Sequence, residues 1–183
     1  MAVDIVYETH SLTTDNEAGR ATGWLPGELS ESGRGFAREL GRRRPVDDFA
    51  VIFCSDLARA VETVETAYGG WPAVARRDHR LRECDYGELT GMPVDELARQ
   101  RRARIDAPFP GGESYRQVVD RTAEFLRDLA EGWDGRRVLL VSHSANRWAL
   151  DHLLHGRTLA DLVDAPFGWQ EGWSYRLPDD WRR

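Results

Sequence analysis

The chain has 183 residues, 41% of them hydrophobic, and a formal net charge of -6, a length that suits one compact domain over residues 1–183 and is short for two. Net acidity argues against non-specific nucleic-acid binding, and the longest apolar runs, 49–53 and 138–141, are strand-sized, with no basic leader ahead of an apolar stretch at residues 1–7; no membrane span or targeting segment is expected. Two cysteines, Cys54 and Cys84, lack metal-ligand spacing and make no disulfide framework, so a reducing, cytoplasmic setting is expected.

Residues 2–7 read as a first strand. A polar, glycine-bearing loop follows over 11–27, and Ser30 is placed to cap a helix at Glu31–Arg43 whose last turn is arginine-rich, as the helix dipole prefers. Residues 49–54 form a second strand. Asp56 stands where it would cap a helix over 57–68 that ends at Gly69-Gly70, and 73–77 is a third, shorter strand. Residues 80–91 read as loop, Pro93 opens a short helix to about Arg102, and 107–112 interrupts with two prolines and two glycines. Val118, Val119, Thr122, Phe125, Leu126 and Leu129 recur at helical spacing, which predicts a long helix over 114–131. Arg137–Ser142 carries the clearest strand pattern, followed by a helix over 145–154 and an edge strand over 172–177. The tryptophan-rich tail from Trp169 to Trp181 is expected to close the core. Alternating strands and amphipathic stretches predict an α/β fold: a three-layer α/β/α sandwich on a mostly parallel sheet.

Two strand ends share one local design, an apolar strand followed by histidine and serine: Thr9-His10-Ser11 and Ser142-His143-Ser144. In an open parallel sheet the carboxyl ends of the strands form the ligand crevice, so both imidazoles are expected there. Either histidine alone reads as a hydrogen-bonded structural residue; the pairing favours chemistry. The second strand runs into Ser55-Asp56-Leu57-Ala58-Arg59, which projects Arg59 from the first helical turn toward the same edge, a natural partner for a phosphoryl group. The irregular stretch Leu81-Arg82-Glu83-Cys84-Asp85 offers Glu83 or Asp85 as a proton donor. All 25 cationic residues are arginine, mainly a compositional bias that also supplies planar forks.

These residues, with Asn16, Thr22-Gly23-Trp24, Tyr86-Gly87 and Pro110-Gly111-Gly112-Glu113-Ser114, resemble in order and spacing the histidine phosphatase superfamily, which includes cofactor-dependent phosphoglycerate mutases; the likeness spans about residues 4 to 155. The resemblance implies a phosphoglycerate mutase-like fold and a phosphohistidine mechanism without metal or cofactor. Neutral His10 would attack phosphorus, Glu83 would protonate the departing oxygen and then activate water, and Arg59, His143 and Asn16 would hold the phosphoryl oxygens. Thr9, Ser11, Thr22, Gly23, Arg82 and Ser144 complete the expected substrate-binding set, and the main-chain N–H groups after His143 would add to the anion site.

The family pattern at the first histidine is Arg-His-Gly, and this chain has Thr9-His10-Ser11. Arg20, Arg82 and Arg147 border the crevice as replacement cations, Arg82 preferred. Serine after both histidines replaces a residue without Cβ and offers hydroxyl donors. About twenty residues separate Gly91 from Pro110, leaving no room for the larger insertion of the mutases and favouring a small phosphatase. The sequence therefore reads as a metal-independent phosphatase of a small phosphorylated metabolite. A protein that binds an anionic ligand without turnover, or one that transfers the phosphoryl group, stays open as an alternative, as does a homodimer.

Overall fold

The computed structural model describes residues 1–181. Five strands, β1 (Ala2–Thr9), β2 (Val51–Cys54), β3 (Ala75–Arg77), β4 (Arg137–Ser142) and β5 (Trp173–Pro178), form one sheet in the order β3-β2-β4-β1-β5. The first four are parallel and β5 runs antiparallel along the outer edge of β1. Val138, Leu139, Leu140 and Val141 of β4 are all fully buried, as an apolar run covered on both faces requires.

Helices cover both faces: α1 (Thr14–Glu17), α2 (Glu31–Arg43), α3 (Ala58–Tyr68), α4 (Val94–Gln100), α5 (Tyr115–Gly132), α6 (Ser144–His155) and α7 (Leu159–Asp164). Alternate strand residues feed two cores. Val6, Ile52, Cys54, Leu139 and Val141 meet Ala60 and Val64 of α3 on one face, and Ile5, Tyr7, Val138 and Leu140 meet α5, α6 and α7 on the other. Helix α2 lies against α3, where Gly41 allows close approach: a Cβ there would stand 1.9 Å from the Ala67 carbonyl oxygen.

Most expected elements are present, with shifted ends. β1 continues two residues further, to Thr9, because its ladder with β4 runs to Thr9 opposite Ser142. Helix α1 falls inside the stretch read as loop, held by a capping box between Thr13 and Asn16, and α7, six residues long, adds to the helices expected. The cap expected of Asp56 is absent: the N-cap of α3 is Leu57 without a side-chain bond, because Asp56 instead accepts a two-pronged pair from Arg82. The tail closes the core only in part. Trp173 and Trp181 pack against it, whereas Trp169 is 61% exposed beneath the Arg43 guanidinium. Among the described residues no helix is long and apolar enough to cross a membrane.

Candidate active site

β1 and β4 are neighbours, yet the chain leaves β1 toward the α2–α3 face and leaves β4 directly into α6 on the opposite face. A crevice opens where adjacent parallel strands diverge in this way. Thr9 and Ser142 are register partners at its lip, and the His10 N–H donates to the Ser142 carbonyl at 2.8 Å. The next residues on each strand are His10 and His143, whose ring centroids are 5.0 Å apart with planes inclined by 53°.

Each ring is held from one side. His10 Nδ1 lies 2.7 Å from the Ser11 carbonyl oxygen, an acceptor that fixes the proton on Nδ1 and leaves a lone pair on Nε2. The Arg59 Nε–H donates to that Nε2 at 3.3 Å. Burial, with Arg59 adding to it, pushes the His10 imidazolium down to about 3. His143 is fully buried, its Nε2 is 2.7 Å from the Ser55 hydroxyl, and its Nδ1 is buried without a hydrogen-bond partner. Burial and then Arg59 hold its imidazolium well below the ordinary value, so both rings are neutral near pH 7.

Arg59, in the first turn of α3, is buried. Its Nη1 donates to the Leu25 carbonyl at 2.9 Å and its Nη2 to the Gly23 carbonyl at 2.8 Å, so the loop over 22–27 holds the fork while Nε faces His10. Gly23 sits at φ +53, in the left-handed region that favours glycine. Glu83 is buried, and burial raises its carboxyl above the ordinary value despite the N–H that Cys84 donates to Oε1 at 2.7 Å. Asp85, the other candidate acid, accepts the Gly87 N–H at 2.9 Å and shapes a turn.

The remaining expected residues divide. The Ser11 hydroxyl donates to the Gly33 carbonyl at 2.6 Å and its N–H to Thr63 Oγ1 at 2.9 Å, stitching the chain after His10 to α2 and α3, so the hydroxyl proton expected for an anion is already engaged. Ser144 opens α6, whose N-cap His143 makes no side-chain capping bond; the first-turn N–H groups there are suited to an anion. Thr22 donates to Asp15 at 2.9 Å. Asn16 is exposed, and its amide oxygen accepts the Thr13 N–H at 3.1 Å. Thr9, at the end of β1, is half-buried.

Two of the three candidate replacement cations are engaged elsewhere. Arg82 forks Asp56 at 2.7 and 2.6 Å and lies over the Trp24 ring, 4.7 Å from its centroid. Arg20 is exposed and bridges to Pro93 through its backbone. Arg147 pairs with Asp151 and covers the Trp173 ring. Among the described residues, the guanidinium hydrogen-bonded to either histidine is that of Arg59. Phe109 is buried in the core; Trp24, 37% exposed, stands at the rim, and its indole N–H donates to the Glu83 carbonyl at 2.7 Å. Tyr115 is buried between Phe109 and Trp148, and Cys84 is a buried thiol.

Sequence reasoning missed several supports. Ser55, already part of the Ser-Asp-Leu-Ala-Arg run, braces His143. Arg121 and Glu113 brace the segment carrying Glu83. The available signal was an arginine on the stripe of α5 that buries Val118, Thr122 and Phe125.

A family model for the histidine phosphatase superfamily (branch 1) matches residues 9–168. The 2,3-bisphosphoglycerate-dependent phosphoglycerate mutase of Methylorubrum extorquens (strain PA1) is 31% identical, with 96% of this chain and 90% of the mutase covered. The protein of the same description from Methylobacterium sp. (strain 4-46) is 34% identical over 84% of this chain and 81% of its own length. Among solved structures, Bacillus stearothermophilus YhfR superposes with a TM-score of 0.81 at 28% identity, covering 93% of this chain and 88% of that one. A mycobacterial glucosyl-3-phosphoglycerate phosphatase gives a TM-score of 0.71 at 27% identity, covering 88% of this chain and 83% of that one.

Proposed function

The chain belongs to branch 1 of the histidine phosphatase superfamily, and from that membership we propose that it hydrolyses a small phosphorylated metabolite, without a metal, through a phosphohistidine on His10. The family and its structural neighbours support a phosphatase or phosphoryl-transfer activity on a phosphorylated substrate. The observation carrying the phosphohistidine proposal is the protonation pattern of the paired rings. His10 is neutral, with its proton directed at the Ser11 carbonyl and its Nε2 lone pair facing Arg59.

In the proposed reaction Nε2 of His10 attacks phosphorus as the bond to the alkoxy oxygen breaks, and that oxygen takes the proton of Glu83. Glu83, now ionised, removes a proton from water, which attacks the phosphohistidine and releases phosphate and neutral His10. Arg59 has five N–H donors and uses three on His10, Leu25 and Gly23, which leaves donors for phosphoryl oxygens. The Ser55 hydroxyl accepts the Leu57 N–H at 3.1 Å and can donate to His143 Nε2. That arrangement puts the His143 proton on the unpartnered Nδ1, where it would meet a phosphoryl oxygen. Buried, free Cys54 and Cys84 suit a reducing cytoplasm.

The test is turnover of a panel of phosphomonoesters in EDTA, with acid-labile phosphate trapped on the parent and on His10→Ala. Turnover with label lost in His10→Ala is the expected result. Loss of turnover in EDTA overturns the metal-free step, and tight phosphate binding without turnover of any substrate identifies a binding protein. The description carried by the relatives favours one second reading, phosphoryl transfer to an alcohol acceptor. Interconversion of phosphoglycerates faster than phosphate release would establish it.

A further inference from the structure

Arg121 sits mid-way along α5 on the face that also buries Val118, Thr122 and Phe125, with only 14% of its side chain exposed. Its Nε and Nη2 fork the Glu113 carboxylate, each at 3.0 Å. The same guanidinium donates from Nη1 to the Arg80 carbonyl at 2.6 Å and from Nη2 to the Glu83 carbonyl at 3.0 Å. Glu113 closes the unit by accepting the Asp85 N–H at 3.1 Å and donating its own N–H to the Asp85 carbonyl at 2.9 Å. The main chain on either side of Glu83 is therefore fastened to a rigid helix. A second arm reaches the same Glu83 carbonyl from the site loop, through the Trp24 indole N–H.

We propose that Arg121, oriented by Glu113, is a positioning residue for the proton-donating carboxyl of Glu83, and that Trp24 is the opposing arm of the same clamp. The proposal rests on Glu83 being the acid, as read above. Simple core filling would not call for an ion pair at this position, since apolar residues of similar volume stabilise a buried site as well or better. Every backbone bond Arg121 makes falls on residues 80–83, the segment that delivers the carboxyl. Displacing a proton donor by a fraction of an ångström weakens transfer to the leaving oxygen while phosphoryl binding through Arg59 is untouched.

The test compares the parent, Arg121→Lys, Glu113→Gln and Glu83→Gln in single-turnover release of the leaving group, which reports the first step before Glu83 acts on water, from 2,4-dinitrophenyl phosphate, whose leaving group needs no proton, and from an alkyl phosphate, whose leaving group does. Full loss of a general acid is worth about 10²–10⁴-fold, and Arg121→Lys is expected to lose about tenfold in single-turnover rate on the alkyl ester, a fraction of that range. The half-saturating concentration and the single-turnover rate on the dinitrophenyl ester should stay within about twofold. Glu113→Gln should show the same pattern more weakly, and it supplies the readout if Arg121→Lys unfolds at assay temperature. Equal losses on both esters, or none on either, while Glu83→Gln discriminates between them, overturn the positioning role alone. A Glu83→Gln enzyme that does not discriminate overturns the assignment of the acid, and the proposal with it.

Discussion

Arg59 approaches His10 through Nε, and the nitrogen it faces, Nε2, is the one with the free lone pair. In the proposed mechanism the attacking nitrogen and the anion-binding cation are thus in contact before any phosphoryl group arrives. Binding has to exchange that contact for contacts to oxygen, and the two carbonyl bonds from Gly23 and Leu25 keep the guanidinium in place meanwhile.

Arg59→Lys keeps the charge and loses the fork, leaving two carbonyls without their donor. We expect kcat/KM on any phosphomonoester to fall by about 10²–10³-fold, the scale of a lost oxyanion donor, with a lower melting temperature. Initial rates and thermal unfolding check both; a rate within a few-fold of the parent would remove Arg59 from the anion site.

Stability should depend on pH through the histidines. An ordinary imidazole titrates near 6.5, and His10 in the folded protein is lowered to about 3, so between those values the unfolded chain binds a proton that the folded chain refuses. Stability therefore rises with pH across that window, and at pH 5 the loss from His10 alone amounts to at most about 2 kcal/mol. His143 acts in the same direction. Urea unfolding at pH 5 and 7 should show the parent losing stability at the lower pH and His10→Gln losing less; identical slopes would mean that the ring protonates freely.

Glu83 works with the opposite sign. Its carboxyl is raised by burial, so ionisation above its folded pKa favours the unfolded chain. Glu83→Gln keeps an oxygen for the Cys84 N–H and removes the charge. It should melt at or above the parent's temperature at pH 8 while losing turnover of alkyl phosphates. A lower melting temperature would show that the carboxyl is not a source of instability.

The serines after each histidine should separate. Ser11→Gly removes a hydroxyl already bonded to Gly33 and should cost about 1 kcal/mol of stability with a small effect on rate. Ser144→Gly removes a hydroxyl at the mouth of α6 and should change KM for aryl phosphates more than melting temperature. Equal rate effects from both would show that the Ser11 bond does not restrain it.

Close packing of α2 on α3 gives a control remote from the chemistry. Gly41→Ala forces a Cβ onto the Ala67 carbonyl, and overpacking of this kind typically costs about 1–3 kcal/mol, occasionally more. Thermal unfolding should reveal it, with kcat on any substrate unchanged below the melting range.

Much of this architecture was legible because it rests on local patterns. The apolar runs marked β2 and β4, Ser30 and Ser114 marked the starts of α2 and α5 with the capping bonds observed, and histidine after two apolar strands placed both rings at one edge. Long-range pairing was not legible. Asp56 looks like a cap until Arg82, 26 positions later, takes its carboxylate, and nothing local distinguishes Arg82 and Arg147 as cations bound elsewhere. Trp169 and Trp173 look alike in sequence, yet only Trp173 lies on the strand that packs on Tyr7. The loop grip on Arg59 uses main-chain carbonyls, for which no side-chain signature exists.

Because β5 runs against its neighbours, Pro178 stands opposite Ala2, and the amino terminus pairs with Asp134 and Asp179. Both sit at the pole from which β1 departs, a strand of about 25 Å away from the histidines at the usual rise per residue. A tag, a surface linker or a fused partner attached at this pole would face away from the crevice, so immobilised or chimeric forms should keep an unobstructed mouth.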